Sequence, residues 1–140
     1  MKKYVVGIVF NEHKILLIRK NRPTWQAGGL NGVGGKVKEY ENFYDAMVRE
    51  CSEECNLVLT SWAYLGLLTD NINYEVQYFR AFAPSFEIVR TNTDEAIEIY
   101  NISELNYGAL IPPTDIFVRL AMYSVYSPIE LIVEWIWEKL

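Results

Sequence analysis

Apolar and polar positions along the 140-residue chain follow two different periods. Tyr4 to Phe10 (YVVGIVF) and Ile15 to Arg19 (ILLIR) are almost unbroken apolar runs around the polar turn Asn11-Glu12-His13-Lys14. Short β-rich runs flanking a turn predict two strands of a hairpin. Asn21 to Gly35 is glycine-rich, holds Pro23 and Trp25, and predicts a loop with a short strand near its end. From about Asn42 to Cys55 the period lengthens. At about 100° per residue, Tyr44, Met47, Val48, Cys51 and Cys55 share one arc, the buried stripe of a predicted helix. Leu57 to Thr69 and Tyr74 to Ala83 predict strands joined at Asp70-Asn71-Ile72-Asn73, and Ala96 to Ile102 predicts another.

Pro112-Pro113 opens a helix predicted over Thr114 to Tyr126, since proline is tolerated in a first turn. Ser127-Pro128 starts a last predicted helix, 128–140. There Glu130, Glu134 and Glu138 make one narrow polar stripe and nearly everything else is apolar. Such a helix is expected to be buried on two sides, against the domain and against a second subunit in a homodimer. It is too short to span a membrane. Strands interleaved with helices, without repeats or a linker, predict one α/β domain over 1–140 built on a mixed sheet.

Composition narrows the function. Hydrophobic residues make up 51% and charged ones 22%, which suits a packed domain and not a disordered tail. A net charge of −5 leaves no broad basic stripe for a long nucleic acid. Any phosphate handled here needs its charge neutralised by something other than the protein's net charge. The apolar stretch behind Lys2 and Lys3 reads as a strand and not as an export signal. Cys51 and Cys55 lie one helical turn apart and fit a reducing cytoplasm. They read as buried inert thiols, the single histidine, His13, being far away in sequence and most simply a solvated turn residue.

The predicted helix at 42–55 also gathers Glu50, Glu53 and Glu54 on its shoulder, between core and water. Like charges at these spacings repel, and acids late in a helix oppose its dipole. A cation is the natural compensation, and clustered carboxylates are hard ligands suited to Mg²⁺ or Mn²⁺. A solvated acidic face is the plain alternative. The glycines before the helix, Gly28, Gly29, Gly32, Gly34 and Gly35, let backbone approach a ligand and can offer N–H groups to phosphate oxygens. Together the loop and the helix describe a metal–phosphate site.

Gly35, five residues, Glu41, seven residues and Arg49-Glu50-Cys51-Ser52-Glu53-Glu54-Cys55-Asn56-Leu57 resemble the signature box of the Nudix hydrolases over 35–57. Cys51 stands at a usually aliphatic position, and Asn56 replaces the glycine that ends the helix; asparagine is the next best residue for a left-handed cap. The resemblance implies the Nudix fold, a mixed sheet sandwiched between helices, with the C-terminal apolar helix as an addition. It implies hydrolysis of a nucleoside diphosphate linked to another group. Glu50, Glu53 and Glu54 would hold the metal, Glu53 would serve or orient the base, and Gly35, Glu41 and Arg49 would support them. Glu95, ahead of Glu98, occupies the segment where an extra metal-binding carboxylate is expected.

Asn31 to Val37 (NGVGGKV) resembles the same run in MutT-like members, which hydrolyse oxidised purine nucleoside triphosphates. That places Asn31 at the base, while apart from the resemblance the Gly34 N–H and the side chains of Arg19, Lys36 and Lys38 can reach phosphate oxygens. An Asn amide can both donate to and accept from a purine edge. Asp115 reads as a helix cap first and a base contact second. Trp25 is expected to pack in the core. The leading expectation is a Mg²⁺- or Mn²⁺-dependent nucleoside triphosphate pyrophosphohydrolase. The alternatives are a hydrolase of nucleotide sugars, dinucleoside polyphosphates or capped RNA ends, and a Nudix-fold sensor that binds a nucleotide without turnover.

Overall fold

The computed structural model describes residues 1–133. Its frame is one mixed sheet of eight strands: β1 (Lys2–Asn11), β2 (Lys14–Arg19), β3 (Leu30–Asn31), β4 (Val33–Lys36), β5 (Ala63–Thr69), β6 (Tyr74–Phe82), β7 (Ile97–Asn101) and β8 (Ile129–Ile132). The main path runs β3-β2-β1-β6-β5-β8, with β4 on β1 and β7 on β2. β1 and β6 pair in parallel, β1 with β2 and β5 with β6 antiparallel.

One helix lies on each face. α1 (Phe43–Cys55) covers a core that includes Val5, Val9, Leu16 and Ile18, while α2 (Thr114–Ala121) covers Val6, Ile8, Ile15 and Leu17. Successive strand residues point to opposite faces, so strands buried on both sides must be apolar throughout. That is why the first two runs of the chain are nearly continuous rather than alternating.

The hairpin, α1 and the strand over Tyr74–Phe82 stand within two residues of their expected ends. Four expectations change. Leu57 to Trp62 is no strand but an extended connection. Leu57, Leu59 and Trp62 bury their side chains there, and the Trp62 indole donates to the Leu59 carbonyl at 2.8 Å. α2 stops at Ala121, not Tyr126, because Arg80 takes up the Ala121 and Tyr123 carbonyls, both at 2.6 Å, and so satisfies its end. Trp25 is 73% exposed rather than packed in the core. The fourth change is the largest. Ile129–Ile132 is a strand paired in parallel with β5, not the start of a helix.

The reason is the open edge of β5, whose backbone groups need partners. Ile129 and Leu131 turn inward against the α2-side core while Glu130 and Ile132 face out, a period of two. The remainder of the expected 128–140 helix, 134–140, lies outside the described residues. Its proposed second-subunit contact therefore has no helical face to rest on among the described residues. No helix among the described residues is long and apolar enough to cross a membrane.

Candidate active site

α1 is fixed at both ends by its own sequence. The Asn42 side chain accepts from the Asp45 N–H at 2.8 Å, and Asn56 closes the helix in a left-handed conformation at φ 65°. Met47, Cys51 and Cys55 are fully buried, Val48 partly, and Tyr44 is 40% exposed, outside the stripe expected to hold it. The two thiols are free, their sulfurs 3.7 Å apart. The three glutamates descend from core to water. Glu54 is buried, Glu50 half-buried and Glu53 exposed.

The glycine loop meets this helix through two contacts. The Gly34 N–H donates to Glu54 Oε1 at 2.6 Å, so this amide orients a carboxylate rather than standing open to a ligand. At Gly35 the loop passes so near Glu50 that a Cβ would sit 2.5 Å from its carboxyl carbon. Any larger residue there would push the Glu50 carboxylate out of its present place.

Arg49 ties the rest together. Its guanidinium donates to both oxygens of Glu41 at 2.8 and 2.9 Å, to Glu50 at 2.9 Å, to Glu53 at 3.1 Å and to the Lys36 carbonyl at 3.0 Å. The hydrogen bond from Arg49 is the main reason that the Glu41 carboxyl titrates at about 2. Glu54 behaves oppositely. Burial pushes its carboxyl up to about 7, with Glu50 and Glu95 adding to the rise against the Gly34 N–H and the charge of Lys20. Glu50 is also raised, again chiefly by burial, against its hydrogen bond from Arg49.

Other predicted residues lie apart from this cluster. Glu95 is buried and accepts from Lys20 at 2.7 Å and from the Asn21 N–H at 2.6 Å; burial works against its ionisation, but these partners hold its carboxyl below the ordinary range. Arg19 is committed to Glu98 at 2.7 and 2.8 Å and to the Gly28 carbonyl at 2.8 Å. Lys36 and Lys38 border an open groove of about 550 Å³ together with Arg49, Glu50 and Glu53.

A second constellation joins β3 to α2. The Asn31 Oδ1 accepts from Thr114 Oγ1 at 2.6 Å and from the Gly32 N–H at 2.9 Å. Asp115 makes no capping hydrogen bond, against expectation, and its Oδ1 is buried without a partner among the described residues. Sequence reasoning named Asn31 and Asp115 but missed Thr114, which links them. A threonine at a helix start carries no signal of a partner 83 residues away. Lys20 was missed likewise, since a lysine after a strand looks like any surface lysine.

A divalent cation can be tested against these donors. Glu50 and Glu54 offer hard oxygen ligands in a partly desolvated corner where both resist ionisation, a condition that a cation relieves. Among the described residues no three carboxylates converge on one point, because Arg49 holds Glu50 and Glu53. The donor chemistry fits.

A mixed sheet between helices, with a glycine loop folded onto an acidic helix, marks a class of enzymes: hydrolases of pyrophosphate bonds. The family model for the NUDIX domain matches residues 1–120, and the chain belongs to that family. Solved structures agree on the fold. A NUDIX hydrolase from Nitrosomonas europaea aligns over 94% of this chain and 78% of its own, at 16% identity and a TM-score of 0.78. A MutT NUDIX hydrolase from Burkholderia pseudomallei aligns over 86% and 98%, at 24% identity and 0.73. The NUDIX domain of Shewanella oneidensis NrtR, complexed with ADP ribose, aligns over 85% and 84%, at 14% identity and 0.72. No curated protein matches the chain by sequence.

Proposed function

We propose that the protein is a Mg²⁺- or Mn²⁺-dependent pyrophosphohydrolase of nucleoside triphosphates, with a purine, oxidised purines included, as the preferred base. The observation that carries this reading is the Glu50–Glu54 corner. Two carboxylates are desolvated side by side against a glycine loop, where a cation and phosphates supply what the protein lacks.

A bound divalent ion supplies charge neutralisation at the phosphates and lowers the pKa of a coordinated water. Glu50 and Glu54 would hold it, Glu54 being oriented by the Gly34 N–H. Glu53, the most exposed of the three, takes the proton of the attacking water or orients that water towards phosphorus. Arg49 and Glu41 keep the loop and the helix in register, and Lys36, on the groove wall, would meet the phosphates.

The base preference rests on Asn31. With its oxygen filled by Thr114 and Gly32, the Asn31 amide has, among the described residues, its N–H₂ left to give, and such a group can meet an acceptor on a purine edge. The cytoplasm fits two free buried thiols.

A phosphate- and pyrophosphate-release screen with Mg²⁺, over triphosphates, oxidised purine triphosphates and nucleotide sugars, tests the reading. Release is expected from purine triphosphates, and Glu53→Gln should lower kcat about 10²–10⁴-fold with Tm unchanged. A protein that binds these nucleotides and releases nothing is a sensor, and the proposal then fails.

A further inference from the structure

A row of register partners crosses the sheet near one end. Ile132 pairs with Thr69, Thr69 with Glu75 and Glu75 with Lys3, and the Val37 N–H donates to the Lys3 carbonyl at 2.9 Å. The chain leaves β8 at one end of this row, where the Val133 N–H donates to the Thr69 carbonyl at 2.9 Å. Along the rest of the row lies a groove of about 620 Å³ that the proposed chemistry does not use. It runs from the turn at Ile72 and Asn73, past Lys2 and Lys3, to the segment Lys36 to Glu41.

Both lips of the groove are pinned. On one, the Asp70 carboxylate accepts from the N–H groups of Ile72, Asn73 and Tyr74 at 3.0, 2.7 and 3.2 Å. On the other, the Lys38 N–H donates to Glu41 Oε1 at 3.0 Å, and Arg49 holds that carboxylate. Each lip nevertheless carries a large apolar side chain in water: Ile72 is 75% exposed and Tyr40 99%. Between them Lys2 and Lys38 make no ion pair among the described residues, while Lys3 lies over the Phe43 ring at 5.7 Å. The acids here are Glu39 and Glu41, and Glu41 belongs to Arg49. Rigid apolar tips with cations between them suit a short segment of aromatics and acids, and pinning them in advance spares the cost of ordering them on binding.

The seven residues that follow β8 and Val133, 134–140, read Glu-Trp-Ile-Trp-Glu-Lys-Leu. Extended, seven residues reach about 23 Å, and the three strand intervals from β8 to β1 span about 14 Å. We propose that 134–140 lies across this groove as a strap, with Trp135 and Trp137 against Ile72 and Tyr40 and Glu138 towards Lys2 and Lys38. The proposal stands apart from the functional reading and holds for an enzyme or a sensor alike. The strap narrows the approach to the carboxylates along the wall that the two grooves share, Lys36 to Glu39.

Photo-crosslinking of the whole chain tests the strap, with p-benzoylphenylalanine in place of Trp137 and an equal mixture of ¹⁴N- and ¹⁵N-labelled protein. After irradiation, mass spectrometry should map the crosslinks to 1–3 and 36–40, within chains of one label. The same probe in place of Trp135 should reach Ile72 and Asn73 instead. The double variant Lys2→Glu, Lys38→Glu should lower the yield about threefold or more, the weight of exposed ion pairs. Salt at about 1 M, where the screening length falls to about 3 Å, should lower it likewise. Crosslinks that map elsewhere on the domain, or none at all, overturn the strap. Crosslinks that join light chains to heavy ones assign the groove to a second copy and overturn it as well. A yield indifferent to both the lysine variant and salt removes the cations as partners, and the proposal fails.

Discussion

Two glutamates that touch the same loop titrate at opposite ends of the carboxylate range. Glu41 accepts from Arg49 through both oxygens and stays ionised down to about pH 2, whereas Glu54, four residues beyond Glu50 on α1, holds its proton up to about 7. The difference is the position of one guanidinium. Arg49 reaches Glu41, Glu50 and Glu53, and of the clustered acids only Glu54 lies beyond it, buried, with the Gly34 N–H as its carboxylate's one hydrogen-bond partner among the described residues. The Glu41 side closes the fold with the protein's own charge. The Glu54 side leaves a charge deficit for something that binds.

That contrast can be broken from either side. The largest effect is expected from pH on the Glu54 side, in EDTA. The folded carboxyl is raised from the ordinary 4.5 to about 7, so its contribution is fully present below 4.5 and is lost as pH rises through 7. The loss is at most about 3 kcal/mol. Urea unfolding of the parent protein and of Glu54→Gln at pH 5 and pH 8 measures it. The variant should lack this share of the pH dependence, and identical profiles would show that Glu54 is not desolvated as described.

Next comes Arg49→Met, which leaves Glu41 and Glu50 without their cation. A fully buried pair broken in this way costs about 3–5 kcal/mol; with Arg49 still 20% exposed, about 2 kcal/mol is expected. Tm should fall by about 4–8 °C. An unchanged Tm would mean that the clamp does not hold the loop. The smallest effect is Glu41→Gln, which keeps one acceptor for Arg49 and loses the charge, at about 1 kcal/mol. Its stability should lack one share of the decline between pH 4.5 and 2, the window in which the parent's Glu41 takes up a proton in the unfolded chain but stays ionised in the folded one. A decline of equal size in both proteins would place that loss elsewhere.

The legible part of the molecule is the part whose interactions are local. Asn42 and Asn56 announce the ends of α1 because caps act within a single turn, and the acidic shoulder follows from helical geometry alone. The run from Gly35 to Leu57 therefore yields a candidate site and a family resemblance before any coordinates exist. PIELI, at 128–132, shows the limit. Four or five apolar-rich residues satisfy a helical stripe or a strand equally, and the choice fell to the unpaired edge of β5, sixty residues away. Trp25 differs from its expected place for a similar reason: large aromatics are usually buried, but whether one is depends on what the folded chain sets beside it, and this one stands exposed.

By itself, the order of residues determined the hairpin, the two-sided burial of its strands, the capped acidic helix and the glycines that let a loop touch it. Each is fixed by chain neighbours, through sterics, period or capping. Only the folded chain decided which carboxylates share Arg49, that Thr114 fills the Asn31 oxygen, and that lysines from β1 and β4 line one groove with an exposed Tyr40. Proton affinity and pairing depend on distance and desolvation in three dimensions, and neither can be counted along a sequence.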